Sequence, residues 1–274
     1  MAILEDGFYS GKMNGLIYKR VKNQQIVVGP SKKPHIKHTP AMVTSSGIFG
    51  KASTLNSYIR AYMGMLFDKF HDGEMVARLN KSSNLALNSA FSPETSSFTF
   101  NADCFNRLIG FEFNIESKVE DSLFGHVTVT YSENLVTVLI PEMTIPRQLE
   151  FPAGSKKCAI VISSTLVALD YGYIKESEAK VIIVMRDGES NVIPSQSIEF
   201  STEPGRLCII GIALHFYKDT FIGESLVNNK LFSPAAILSA HITDGIGALT
   251  EEGEEWGKMI NEKGKIAIFP APKV

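Results

Sequence analysis

Two short segments carry the residue types that bind phosphate, a glycine followed by a Gly-Lys pair. They are residues 7–12 and residues 47–51. A phosphate-binding loop needs four residues between its glycines and a hydroxyl residue after the lysine to hold magnesium. Both segments have fewer residues between the glycines, and Met13 and Ala52 follow the lysines. The spacing therefore does not predict a nucleotide site.

The histidines and cysteines do not form a recognisable metal or catalytic motif. His35 and His38 are three residues apart, but no Cys, Asp or Glu lies near them, and a zinc site needs three or four ligands. Cys158 and Cys208 lie in apolar runs, which is typical of buried free thiols. The motifs HExxH, GxSxG and CxxC are absent. We predict no metal, no cofactor and no enzymatic activity.

Charge is distributed unevenly along this chain of 274 residues, whose net charge is −2. Residues 7–67 contain no Asp or Glu, and residues 231–257 contain no Lys or Arg but several acids. Opposite charges of this kind steer association, within a chain or between neighbouring chains. The alternative is two unrelated solvated surfaces. The acids at the second place are Asp244, Glu251, Glu252, Glu254 and Glu255.

Residues 1–43, which we call the arm, are punctuated by glycine and proline. Gly7, Gly11 and Gly15 recur every four residues, which disfavours a helix. Two β-prone runs, residues 16–21 and 25–28, flank a polar turn and predict a hairpin. So short a segment with few apolar residues cannot bury a core of its own. It must pack on the body or on another subunit, or stay mobile.

Residues 44–92 have the apolar spacing of a helical hairpin. Thr44 to Ser46 are candidate N-caps for a helix that starts near Gly47, and a second helix is predicted from Glu74 to Leu87. Its predicted inward residues are Met75, Leu79 and Leu85.

Residues 93–274 are dominated by short strand patterns with turn residues between them. A strand is predicted over residues 108–115, and the clearest hairpin joins residues 126–131 to residues 135–140. The apolar runs around Ile160 and Ile209 are typical of central strands. No helix alternates with these strands, which favours antiparallel sheets. We predict a mainly β (α+β) protein, an immunoglobulin-like antiparallel β-sandwich with an N-terminal extended arm and a helical hairpin.

The first residues resemble an uncharacterised family of Bacteroidetes. Its members begin with a Ser-Gly-Lys-x-Gly stretch, a strand, a Gly-x-Gln turn and a basic Pro-containing segment. Here these correspond to Ser10–Gly15, with Asn14 for the second glycine, to Asn23-Gln24-Gln25, and to residues 30–34. The resemblance implies a helical region and an immunoglobulin-like C-terminal half, and suggests an assembly role. It is specific over about 35 residues.

We therefore predict a non-enzymatic structural protein that associates through the arm by strand addition, as a homo-oligomer or polymer, in a filament or phage-type particle. Trp256 is either an interface anchor or a side chain that closes the sandwich edge. The predicted interaction residues are Gly7, Gly11, Lys12, Gly15, Leu16, Tyr18, Lys19, Arg20, Ile26, Val28, Lys32, Lys33, Glu251, Glu252, Glu254, Glu255 and Trp256.

Two other functions fit the sequence. The basic arm, with its interleaved aromatic residues, is also typical of a nucleic-acid-binding segment. A glycan-binding or hydrolytic sandwich would carry its site on loops such as residues 117–124, 186–195 or 243–256. We see no Sec-type signal and no stretch long enough to span a membrane, and we expect a location in the cytoplasm or in an assembled particle.

Overall fold

A computed structural model describes residues 2–21, 23–29, 39–188, 191–247 and 256–271. The chain divides into two compact units, Met1–Val43 and Thr44–Val274. Antiparallel strands predominate, and the described residues also contain two α-helices. The predicted mainly β, α+β fold class is therefore confirmed.

The first unit contains a four-stranded antiparallel sheet with strands in sequential order, which we call the N-terminal sheet. Positive φ angles at Asp6-Gly7 and Asn14-Gly15 form the first two turns, as two-residue hairpins require. The predicted hairpin is confirmed, but the sequence missed the two strands before it. The strands are β1 (Ile3–Glu5), β2 (Phe8–Met13), β3 (Leu16–Val21) and β4 (Gln24–Val28).

Helix α1 (Pro40–Tyr62) begins earlier than predicted. The Met42 N–H donates to the Thr39 hydroxyl over 3.3 Å, so Thr39 caps the helix. Pro40 occupies the first helical position, where a missing N–H costs nothing. The predicted start near Gly47 was therefore wrong.

Helix α2 (Met75–Ala90) follows a 3₁₀ turn at Gly64–Leu66. The helices share a buried polar contact, in which the Asn56 amide donates to the Asn80 carbonyl oxygen over 2.9 Å and accepts from the Ser83 hydroxyl over 2.8 Å. Met75 and Leu79 are buried as predicted. Leu85 is exposed instead, and Leu87 takes the inward position.

A seven-stranded antiparallel sheet forms the centre of the second unit, with its two longest strands, β10 (Lys157–Ala168) and β15 (Leu207–Thr220), in its middle. Both faces of these two strands are buried, so their continuous apolar runs are explained and their predicted central position is confirmed. The strands are β10 (Lys157–Ala168), β11 (Tyr173–Lys175), β12 (Glu178–Met185), β15 (Leu207–Thr220), β16 (Gly223–Leu226), β17 (Ala235–Ile242) and β18 (Trp256–Lys258).

One face of this sheet packs on the helices through residues such as Ala159 and Val161. The other face packs on a three-stranded sheet through Ile160 and Ile162. The sandwich-like layering is thus supported, whereas the immunoglobulin-like topology stays a prediction. The smaller sheet contains β7 (Thr128–Ser132), β8 (Leu135–Ile140) and β14 (Gln196–Ser201). Strands β7 and β8 pair as the predicted hairpin.

The strand predicted over residues 108–115 is wrong. A 3₁₀ helix spans Asn106–Leu108, and Gly110 has a φ of 73°. The segment still runs beside β17, but it forms a single bridge, from Glu112 to Ala236. The left-handed backbone at Gly110 interrupts the regular ladder that a strand would form. Two short pairs complete the strands: β5 (Phe91–Ser92) with β6 (Ser97–Phe98), and β9 (Met143–Thr144) with β13 (Val192–Ile193).

Candidate assembly surfaces

The N-terminal sheet has no buried side chain among residues 2–21 and 23–29. Apolar residues are exposed on every strand of it. A small isolated sheet is marginal in water unless one face is covered, and a contiguous apolar surface marks an interaction site. The exposed apolar residues are Ile3, Leu4, Tyr9, Met13, Ile17, Val21, Ile26, Val27 and Val28.

The strand register sorts these residues onto two faces. Ile17 lies opposite Val28, and Lys19 lies opposite Ile26, so these four residues share one face because side chains alternate along a strand. Lys12, opposite Ile17, belongs to the same face. This face therefore combines branched apolar side chains with two cations.

The other face carries the predicted contact residues Leu16 and Tyr18, both half-buried. Gly11 lies opposite Tyr18 on the neighbouring strand, and its φ of 114° requires a glycine there. The Tyr18 ring packs edge-on against Tyr9 with ring centroids 5.8 Å apart. These residues hold the sheet itself together.

Arg20 is also used within the sheet. Its guanidinium donates to Asp6 over 3.1 Å and to Asn23 over 2.8 Å, and lies 4.6 Å from the Phe8 ring centroid. Among the described residues, Lys12 and Lys19 have no ion pair. Of the predicted basic contacts in the sheet, these two lysines are the ones left for a partner.

Gln25 was not among the predicted contacts, yet it closes a gap between strands. Its amide donates to the Tyr9 carbonyl over 2.9 Å and accepts from the Tyr9 N–H over 2.6 Å. The side chain thereby imitates a neighbouring strand where the β2–β3 pairing has ended. No local pattern signals a contact sixteen residues away.

Several predicted residues lie outside the described part of the chain, namely Lys32, Lys33, Glu251, Glu252, Glu254 and Glu255. Trp256 is described, at the start of the edge strand β18. It is half-buried against the inter-sheet core, and the buried Arg206 guanidinium lies 5.7 Å from its ring centroid. This position fits a side chain that closes the sandwich edge.

The second unit has an apolar edge of its own on β12. This strand pairs with β10 on one side and with no other described strand on the second side. Val181, Ile183 and Met185 are exposed, although Val161 and Ala159, the cross-strand neighbours of Val181 and Ile183, are buried under the helices. The helical layer therefore leaves the last strand of the sheet uncovered.

The titratable groups of the second unit are mostly satisfied within the fold. The imidazole of His215 bonds the Leu66 carbonyl over 3.0 Å, which fits a structural histidine. Burial raises the pKa of the Cys158 thiol and raises the pKa of Cys208 to about 11, so both thiols are inert. Within the described residues, no three His, Cys, Asp or Glu side chains converge on a metal position. The His35–His38 pair lies outside those residues.

Among the described residues, no helix combines the length and apolar character needed to cross a bilayer. Comparison with known proteins gives no match to a protein family, to a curated protein or to a solved structure. The resemblance noted in the sequence stays a prediction.

Proposed function

We propose that this protein is a non-enzymatic assembly component, and that its N-terminal sheet associates with a second copy by strand addition into a filament or a phage-type particle. The observation that carries the proposal is the sheet without a single buried side chain among its described residues. Open strand edges recruit further strands through main-chain hydrogen bonds. Among the described strands, both β1 and β4 are such edges.

The acceptor in this proposal is β12 of another copy. It offers an edge of eight residues that pairs with no other described strand, with Val181, Ile183 and Met185 on one face. On β4, Ile26 and Val28 likewise share one face. Pairing β4 with β12 extends the central sheet and places apolar side chains of the two copies together. Each fully buried side chain of this kind contributes about 1.5–3 kcal/mol.

Cysteine cross-linking tests this pairing in the full chain. In a Cys104→Ser background, Val28→Cys protein is mixed with a size-tagged Val181→Cys or Ile183→Cys protein under mild oxidation. We expect a disulfide-linked hetero-dimer, because two Cα atoms must approach within about 7 Å to form the bond. Leu139→Cys, exposed on β8, replaces the acceptor as a control. Equal linking to Leu139→Cys, or none to β12, contradicts the proposal.

Nucleic-acid binding is the second candidate, and it is favoured by the two lysines on the apolar face that form no ion pair with a described residue. Each phosphate contact made by Lys12 or Lys19 adds to the loss of affinity as salt increases. Retention of the full chain on single-stranded DNA or RNA at low salt, lost in the Lys12→Glu, Lys19→Glu variant, supports this candidate. Assembly without retention supports strand addition alone.

A further inference from the structure

A basic cavity lies in the second unit, between helix α2 and the segment around Arg107 and Phe111. Its volume is about 450 Å³, which lies within the range of small-molecule sites. Four of its residues recur on α2 at spacings of three and four, so they share one helix face. The lining residues are Arg78, Lys81, Ser82, Leu85, Arg107 and Phe111.

Arg78 forms the fixed wall of this cavity. Its guanidinium donates to the Asp72 carboxylate and, over 2.9 Å, to the Glu112 carbonyl, and it lies 4.8 Å from the Phe111 ring centroid. Although burial works to raise the pKa of Asp72, bonds from the Glu74 N–H, from Arg78 and from the Ile115 N–H lower it. Asp72 is thus ionised and offsets the charge of Arg78.

Lys81 and Arg107 supply the uncompensated charge. Both are exposed, and neither forms an ion pair with a described residue. They come from different elements, α2 and the 3₁₀ helix Asn106–Leu108, which pack together. The cavity lining contains no carboxylate. Two positive charges therefore face one opening with nothing in the lining to neutralise them.

Leu85 gives the cavity an apolar rim. The helical pattern predicted it inward, but it is 44% exposed. The nitrogen Nε of Arg78 is buried and has no hydrogen-bond partner among the described residues, and Ser82 belongs to the same lining. A ligand that fits these groups has a strongly anionic end and a short apolar part.

We propose that this cavity binds a small organic phosphate monoester, with the phosphate between Lys81 and Arg107 and the apolar part on Leu85. A phosphate monoester carries a charge near −2 at neutral pH and several acceptor oxygens, which matches two uncommitted cations better than a carboxylate does. Arginine binds phosphate in a planar, two-bond geometry. All lining residues belong to the second unit, so the result for this site does not depend on the assembly proposal.

Calorimetric titration of the full chain tests the site with inorganic phosphate, adenosine monophosphate and adenosine. We expect the monophosphate to bind, adenosine not to bind, and the Lys81→Ala, Arg107→Ala variant to lose about tenfold or more in affinity. A Lys263→Ala, Lys265→Ala variant, which removes two cations elsewhere, is the matched control and should bind normally. Leu85→Ser should weaken the monophosphate but leave inorganic phosphate unchanged.

Urea unfolding of each variant excludes loss of fold as the cause of lost binding. Equal binding by the Lys81→Ala, Arg107→Ala variant and its control would overturn the site, as would the absence of any binding by the wild-type chain.

Discussion

The N-terminal sheet and the central sheet of the second unit use similar β-prone residues but differ in burial. Every residue from Cys158 to Ala168 in β10 is buried, whereas none of the described residues in the N-terminal sheet is. The middle strands of the central sheet, β10 and β15, are covered on both faces by their own chain. The N-terminal sheet is defined by close turns and local pairing. Strand formation and burial are thus separate properties, and the second requires a partner surface.

The largest expected contrast comes from one substitution made in both regions. Ile160→Ala leaves a cavity in the inter-sheet core and should cost about 2–5 kcal/mol of unfolding free energy. Ile26→Ala on the exposed face should change that free energy by no more than about 0.5 kcal/mol, but weaken association. Urea unfolding and sedimentation measure the two effects. Equal destabilisation by both variants would show that the regions are not different in kind.

Glycines with positive φ sharpen the comparison. Gly205 has a φ of 66°, and a Cβ there would meet the Gly247 nitrogen at 2.8 Å, whereas a Cβ at Gly15, with a φ of 77°, meets nothing within 4 Å. Gly205→Ala should therefore cost about 2–4 kcal/mol from strain and crowding together. Gly15→Ala should cost about 1 kcal/mol, confined to the sheet. Thermal unfolding and amide exchange distinguish these outcomes, and a smaller effect at Gly205 would be inconsistent with them.

The second unit also carries a pH dependence. Burial raises the pKa of Glu112 to about 7, despite the Val119 N–H bond that lowers it. The folded state then binds more protons than the unfolded state between pH 4.5 and 7, so stability falls as pH rises through that window. We expect a loss of about 1–2 kcal/mol, discounted for partial exposure. Glu112→Gln should flatten the profile measured by urea unfolding, and an unchanged slope would contradict this assignment.

The smallest effect should come from Gln25. Gln25→Ala removes both side-chain bonds to Tyr9, at a cost of about 0.5–1.5 kcal/mol within the N-terminal sheet. Faster exchange of the Tyr9 amide, with unchanged exchange in β10, is the expected result. Gln24→Ala serves as the control because Gln24 has no such bond among the described residues. Equal exchange in the two variants would remove the proposed role.

Periodicity predicted the elements whose stability comes from their own pattern of burial. The β10 and β15 runs, the hairpin of β7 and β8, and both helices are of this kind. It failed at Gly110, where the segment follows β17 without a regular ladder. It also failed at the start of α1, where the local signal of a Thr39 cap before Pro40 was overlooked. The exposed Leu85 was missed because a helical pattern does not show which neighbours are present.

The candidate sites were predicted to different extents. Gly7 and Gly15 were predicted to be interaction residues. In the structure both have positive φ angles and form the two tight turns of the N-terminal sheet. The exposed edge of β12 was not predicted, because alternation alone does not reveal where the covering helices end. The basic cavity has a partial signal in the spacing of Arg78, Lys81 and Leu85. Arg107 joins them only through folding.

The central claim is that the N-terminal sheet requires a surface of another copy. Electron microscopy and sedimentation of the full chain over a range of concentrations test it most directly, beside a chain lacking residues 1–39 and an Ile26→Asp, Val28→Asp full-length variant. The account predicts concentration-dependent assemblies for the full chain and single particles for both variants. A full chain that stays monomeric at high concentration, or variants that assemble equally well, would contradict it.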